Sequence, residues 1–515
     1  MKLKQNLELA EKYFRSNDYH KAKEILIQVL QKDCNNTKAN ELLAYIYGNT
    51  GNTAISNQYL IKACKDKQAS AEALYFFGIS YVNTGNYIEA KKNFLKAIAK
   101  EPFFFEGLHA LGIVCQRLEE YSQALEYYKK ATKIKKDSFE LFYNLGCLYL
   151  KMNQYQKAIN QFEKTIQINK RFGEAFHSKA AAHRELNQYE EALENFDQAI
   201  KLNQHDYDSI CNKSVIQLVM GNYIEGWEAY QYRWKQIPEE RYRYKKIKEL
   251  NDLSELKEKS ILVWWEQGFG DTIQFSRYIN ELIKLTPNVT FEVQKELLPL
   301  MKEQFNCKVI DTNEKSKNFD FQVPLLKLPY LFKTTIETVP LIKNYIKSNP
   351  LKSDDWRKKL KLSNSKKNIG IAIAGSAIHP NDKNRSISIE FITPLMEISN
   401  LYLIQKTLNE NDKNFLEKYR KINYLGNQII DFSDTAAIIE NMDLIISVDT
   451  SLIHLAGSMG KISYLMLPWV PEWRWLQLKK ETPWYKTIQI FRQPKANDWK
   501  TVIKEIRKKI LETEN

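Results

Sequence analysis

From residue 3 to residue 236, apolar positions recur at helical spacing in a pattern that resets every 34 residues. Segments start at Leu3, Thr37, Ala71, Phe105, Phe139, Gly173 and Tyr207, and no insertion is needed to keep the register. The eighth position of each is small (Ala10, Ala44, Gly78, Gly112, Gly146, Ala180, Ser214), as is the twentieth (Ala22, Ser56, Ala90, Ala124, Ala158, Ala192, Gly226). The twenty-fourth is large: Leu26, Leu60, Phe94, Tyr128, Phe162, Phe196, Tyr230. Turn residues such as Asn17-Asp18, Gly51-Asn52, Gly85-Asn86 and Gly221-Asn222 fall midway. Each segment is therefore predicted to be a helical hairpin. Its small residues let two helices approach, and its large residue fills the gap to the next hairpin.

Beyond residue 236 the pattern changes to short apolar runs separated by helical stretches, which predicts α/β units. The runs 261–265, 289–293, 308–310 and 319–323 form a first series, with a helix at 295–305, closed by Pro324, Pro329 and Pro340. The runs 369–374, 401–405, 422–425, 444–448 and 463–467 form a second. All ten tryptophans lie between Trp227 and Trp499, which marks a change of domain. The expected division is helical repeats over 1–236, a linker over 237–257, a first α/β half over 258–347 and a second over 348–515. A ligand cleft is expected between the two halves.

The 34-residue register is the tetratricopeptide-repeat pattern. Such arrays stack into a solenoid with a concave groove that generally takes a peptide or another protein, and they perform no chemistry themselves. His109, His177 and His183 read as packing or groove residues and not ligands; Phe103-Phe104-Phe105 reads as a helix junction. The 515 residues carry a net charge of +14, but the excess is lysine spread along helices, a solvated surface and not a nucleic-acid interface. No apolar run is long enough to span a membrane. The six cysteines are scattered without a CxxC pair, so a reducing, cytoplasmic setting is expected.

Candidate chemistry concentrates at two strand ends. In residues 261–278 an apolar strand runs into Gly268-Phe269-Gly270, and Asp271 opens a helix whose apolar face includes Phe275, Tyr278, Ile279, Leu282 and Leu285. An acid here would repel a phosphate, so the turn suits a polar group or a proton transfer; equally, Asp271 could simply cap the helix. In residues 442–461 a strand ends at Val448, and Asp449-Thr450-Ser451 starts a helix that carries His454. Helix-start amides with two hydroxyls make a phosphate seat, and the alternative is a well-capped helix. Gly375-Ser376 ends another strand, and the basic loop 379–386, with His379, Lys383 and Arg385, is either a pyrophosphate complement or an exposed polar loop.

Together these stretches resemble glycosyltransferases of the two-Rossmann, GT-B type. Specifically they resemble bacterial proteins joining tetratricopeptide repeats to a domain like glycosyltransferase family 9, the ADP-heptosyltransferases; the O-GlcNAc transferases share the plan. The fold class implied is an α-helical tetratricopeptide solenoid followed by α/β GT-B. The resemblance makes Gly270-Asp271 the counterpart of a Gly-Asp pair that supplies the proposed catalytic base. It makes Asp449-Thr450-Ser451-Leu452-Ile453-His454 the counterpart of a donor-phosphate motif, with Ser451 in place of its glycine. Lys383 or Arg385 would be the basic phosphate contact. Gln267, Gly268, Gly270, Trp473 and Arg474 are candidate acceptor or base contacts, the last two also readable as core between the halves. The implied activity is metal-independent transfer from a nucleotide-diphosphate sugar to an acceptor hydroxyl, without a cofactor, on a protein held by the repeats. A non-catalytic scaffold, or a GT-B epimerase or phosphorylase, are the alternatives.

Overall fold

A computed structural model describes the chain except residues 1, 239–240, 315–317, 361, 363–364, 377–380, 420, 478 and 514–515. It forms two compact units, Met1–His183 and Arg184–Asn515, with the boundary inside the helix Gly173–Glu185.

The first unit is built of antiparallel helical hairpins. Lys2–Arg15 pairs with Tyr19–Lys32, Thr37–Asn49 with Thr53–Ala63, Ala71–Asn83 with Tyr87–Lys100, Phe105–Arg117 with Tyr121–Ile134, and Phe139–Lys151 with Tyr155–Ile168. From the second segment on, each predicted start is the first residue of a helix. The small and large positions meet as the pattern requires. A Cβ on Gly146 would lie 2.5 Å from the Phe162 ring, and Gly78 and Gly112 sit equally tight against Phe94 and Tyr128. Those three rings are fully buried. The midway turns adopt left-handed backbone at Asn17, Gly51, Gly85, Glu119 and Asn153. Phe104 precedes the Phe105–Arg117 helix as its N-cap residue, leaving Phe103 exposed, as a junction should.

The second unit starts with the last repeat helices, Tyr189–Leu202, Tyr207–Met220 and Tyr223–Tyr230. Two parallel sheets follow. Strands β1 (Ile261–Trp264), β2 (Val289–Glu292), β3 (Lys308–Ile310) and β4 (Phe321–Pro324) lie in the order β3-β2-β1-β4. Strands β5 (Lys367–Ala372), β6 (Ser399–Leu403), β7 (Ile422–Tyr424), β8 (Leu444–Val448), β9 (Ser463–Leu467) and β10 (Ile488–Arg492) lie in the order β10-β9-β8-β5-β6-β7. Read from its β7 edge, the second sheet has the doubly wound order 3-2-1-4-5-6, whereas the first stops at four strands.

Several expectations are corrected here. The predicted helix over 295–305 shrinks to Leu298–Met301, because Pro299 lacks the amide needed to extend it backwards and is accepted only in its first turn. The stretch 237–257, predicted as a linker, is partly built into the first sheet: Gln322 donates to the Lys248 carbonyl at 2.9 Å and Leu250 donates to the Gln322 carbonyl at 2.9 Å. That pairing covers the outer edge of β4, the edge position that also tolerates Pro324. Strand β10 was not anticipated. It carries the chain into the helix Trp499–Glu512, whose Trp499, Val502, Ile503, Ile506 and Ile510 fill the core of the second sheet.

Candidate functional site

Each sheet reverses its winding once, and ligands of such sheets bind where the loops leave the strand ends at that point. In the first sheet the reversal lies between β1 and β4, and the turn after β1 holds Gly268, Gly270 and Asp271. In the second it lies between β5 and β8, whose following loops hold Gly375, Arg385 and Asp449-Thr450-Ser451. The structure brings these loops together. A Cβ on Gly270 would lie 2.8 Å from His454 Cδ2 and 3.6 Å from Ser451 Cα, so only glycine lets the Phe269–Phe275 helix rest on the Ser451–Ser458 helix.

Asp271 is the third residue of its helix and not the N-cap, which is Gly268. Its Oδ2 accepts the Gly268 amide at 2.9 Å, and its Oδ1 accepts Arg474 Nη2. Arg474 also donates from Nη1 to Glu472 and from Nε to Gln274 Oε1 at 2.6 Å, with its guanidinium 4.2 Å from the Trp473 ring centre. Burial works against the Arg474 charge, but Glu472 and Asp271 outweigh it and hold its pKa above the ordinary value. Glu472 behaves the other way: burial pushes its carboxyl up to about 7 against the pull of Arg474.

Across from Asp271, the Asp449 carboxyl is raised by burial, with the Asp271 charge adding to the rise and Arg474 and Arg385 opposing it. Arg385 donates to the Asp449 carbonyl at 2.9 Å and to Asp382 at 3.2 Å. Its guanidinium lies so close over Gly375 that a Cβ there would collide with it. Thr450 is the N-cap of the Ser451–Ser458 helix, but its hydroxyl is 3.0 Å from Ser447 Oγ and does not cap that helix. Lys383 is exposed, whereas Arg385 two residues on turns inward. His379 and Pro380 lie outside the described residues.

His454 is almost completely buried, with Nδ1 3.0 Å from Tyr485 Oη, Nε2 3.7 Å from Asp449 Oδ1 and its ring stacked on Trp475. Burial, reinforced by the charges of Arg474, Arg277 and Arg385, depresses its pKa well below the usual 6.5, so the ring is neutral. The unfolded imidazole accepts a proton that the folded one refuses. Stability from the neutral ring is thus complete above about pH 6.5 and is lost as pH falls below it, at up to about 1.4 kcal/mol per pH unit. Asp449 titrates in the opposite sense, so the comparison with a variant isolates the histidine. Urea unfolding at pH 7 and pH 5.5 is expected to show a smaller acid loss in His454→Gln than in the wild type; equal losses would disprove the assignment.

Of the two readings of Trp473, a contact for a base or sugar and core, its surroundings are those of core. It is 2% exposed and packs edge-on against Trp227 at 5.1 Å and Trp484 at 6.0 Å. Gln267 donates to Tyr230 Oη at 3.0 Å. Glu472, Gln274, Tyr485 and Arg277 were not picked out from the sequence, since each gains its meaning only from partners far along the chain. Among the described residues, no group of three or more His, Cys, Asp or Glu side chains is placed to hold a metal ion. Nor is any helix there long and apolar enough to cross a membrane.

Residues 71–102, 139–172 and 173–206 match family models of the tetratricopeptide repeat, and residues 117–153 match a TPR repeat model. These helical hairpins are tetratricopeptide repeats. The protein FlbA of Caulobacter vibrioides is 20% identical over 309 residues, 54% of this chain and 51% of FlbA. The chain thus spans about half the length of the curated relative it matches. Among solved structures, YrrB, described as a TPR protein with an unusual peptide-binding site, is 21% identical, with a TM-score of 0.34 over 36% of this chain and 97% of its own. The pilF protein of Pseudomonas aeruginosa is 18% identical, with a TM-score of 0.34 over 39% of this chain and 92% of its own.

Proposed function

We propose that the α/β part is a metal-independent glycosyltransferase of GT-B type and that the repeats recruit its acceptor, a protein or peptide, in the cytoplasm. The supporting observation is the meeting of the winding-reversal loops of two parallel sheets, with a carboxylate on one and helix-start amides, hydroxyls and an arginine on the other. In this reading a nucleotide-diphosphate sugar lies between them. Asp271 accepts the proton of the attacking hydroxyl as the sugar–phosphate bond breaks, and the electron pair of that bond leaves with the nucleoside diphosphate. The amides at the start of the Ser451–Ser458 helix and the charge of Arg385 stabilise the departing diphosphate. Buried His454 carries no charge to the phosphates. It shapes the floor beneath Gly270 and bonds Tyr485.

A scaffold without chemistry is the second reading, favoured by one fact: both oxygens of Asp271 are already engaged, as in a structural cap. Asp271→Asn separates the two. The asparagine keeps the shape, so nucleotide-induced thermal shifts should persist. Release of nucleoside diphosphate from UDP-, GDP- and ADP-sugars, in the presence of acceptor or water, should fall about 10²–10⁴-fold. A variant that retains the wild-type rate makes Asp271 a cap, whereas no release from any donor by the wild type leaves the scaffold reading standing.

A further inference from the structure

We propose that Arg474 is a positioning residue for Asp271: it fixes the carboxylate in the orientation for proton transfer, and Glu472 neutralises it so that Asp271 keeps a net negative charge. This rests on the glycosyltransferase reading above.

Arg474 leaves the loop after β9 and reaches one face of the helix after β1, where it contacts Asp271 and, three residues on, Gln274. Its Nε, Nη1 and Nη2 each have an acceptor, and its flat face is seated on Trp473. Such a fork has one orientation. With Oδ2 of Asp271 tied to the Gly268 amide and Oδ1 to Arg474, the carboxylate cannot turn about its own axis. Its side chain remains 16% exposed, so it still faces solvent.

The charge count separates this from a structural ion pair. Elsewhere in the same unit, buried Arg233 is satisfied by the single carboxylate Glu266. Buried Arg277 has no carboxylate partner among the described residues: it donates to the carbonyls of Gln274 and Trp484 and to Tyr345 Oη, within rings of Tyr345, Trp484 and Tyr485. At these two sites, among the described residues, burying an arginine takes at most one carboxylate. Arg474 has two, and once Glu472 is ionised, above about pH 7, the trio with Glu472 and Asp271 carries one net negative charge. The surplus is what a general base needs. Because Arg474 and Asp271 belong to different sheets' loops, the base is oriented only while the two halves are apposed.

The test uses the full chain and the release of nucleoside diphosphate from UDP-, GDP- and ADP-sugars. Arg474→Ala is expected to lower kcat about 10²-fold, the cost of a misplaced catalytic group, with donor KM within about twofold of wild type. Added guanidinium ion should recover part of kcat in Arg474→Ala and none in Asp271→Asn. Arg474→Lys retains a charge against Glu472 and should fold where the alanine variant does not, with a partial loss of kcat. Thermal melting identifies which variants are folded. A folded Arg474 variant with wild-type kcat, or a loss confined to KM, overturns the proposal alone when Asp271→Asn is inactive. An active Asp271→Asn removes the base and overturns the proposal, while no release from any donor by the wild type overturns the glycosyltransferase reading and the proposal with it.

Discussion

A chain beginning at Arg241 is expected to remain unfolded, whereas one beginning at Gly173 should unfold in a single cooperative step. The repeat segment before Arg241 is inside the α/β core. Trp227 is 1% exposed and packs against Trp473 at 5.1 Å, Phe275 at 6.2 Å and Trp484 at 6.4 Å. Tyr223 stacks on Trp484 at 6.0 Å and accepts its indole N–H at 3.1 Å. Truncating one such tryptophan costs about 3–5 kcal/mol, and stripping the partner from a buried charge costs a similar amount. Domains have about 5–15 kcal/mol in all, so removing both sets of contacts is enough to unfold one. Circular dichroism melts of the two chains decide it, and a sharp transition in the shorter chain would refute the expectation.

The largest single-residue effect is expected at Arg233. Its guanidinium grips both oxygens of Glu266 at 2.8 Å, and Glu266 is 1% exposed at its side chain and also accepts the Leu326 amide at 2.8 Å. Arg233→Ala leaves this carboxylate buried without a counter-charge, a loss of about 3–5 kcal/mol. Arg233→Met combined with Glu266→Leu should recover most of it, because the cost lies in the uncompensated charge and not in the pair's net attraction. Urea midpoints of the wild type and the two variants provide the measurement. A loss under about 1 kcal/mol in Arg233→Ala, or a double variant no better than the single, would show that water reaches Glu266.

The repeats were legible almost to the residue because the same packing problem is solved in each: Gly78, Gly112 and Gly146 are small for the rings that lie on them. Most strands were legible as apolar runs, with ends shifted by a residue or two. β10 was not, because Ile488–Arg492 follows an aromatic, proline-interrupted stretch and alternates weakly. Asp271, Arg385 and Asp449-Thr450-Ser451 could be found at strand ends, where backbone geometry is local. The Arg474–Asp271 contact joins residues 203 apart, and no local pattern announces it. Trp473 was ambiguous for the same reason: what buries it includes Trp227, a residue of the last repeat.

The sheet order also sets a timetable. Hairpins of the first unit close over contacts a few tens of residues apart, a topology that reaches its native state fast. The second sheet cannot be completed in that way, since β5 lies between β6 and β8 and its core is filled by the helix Trp499–Glu512. On the ribosome, the repeats of the first unit would be folded while β5 still waits for a neighbour some 75 residues downstream, as in the Asn368–Asp443 contact beside it. During that interval the exposed strand edges are the part of this chain most in need of a chaperone.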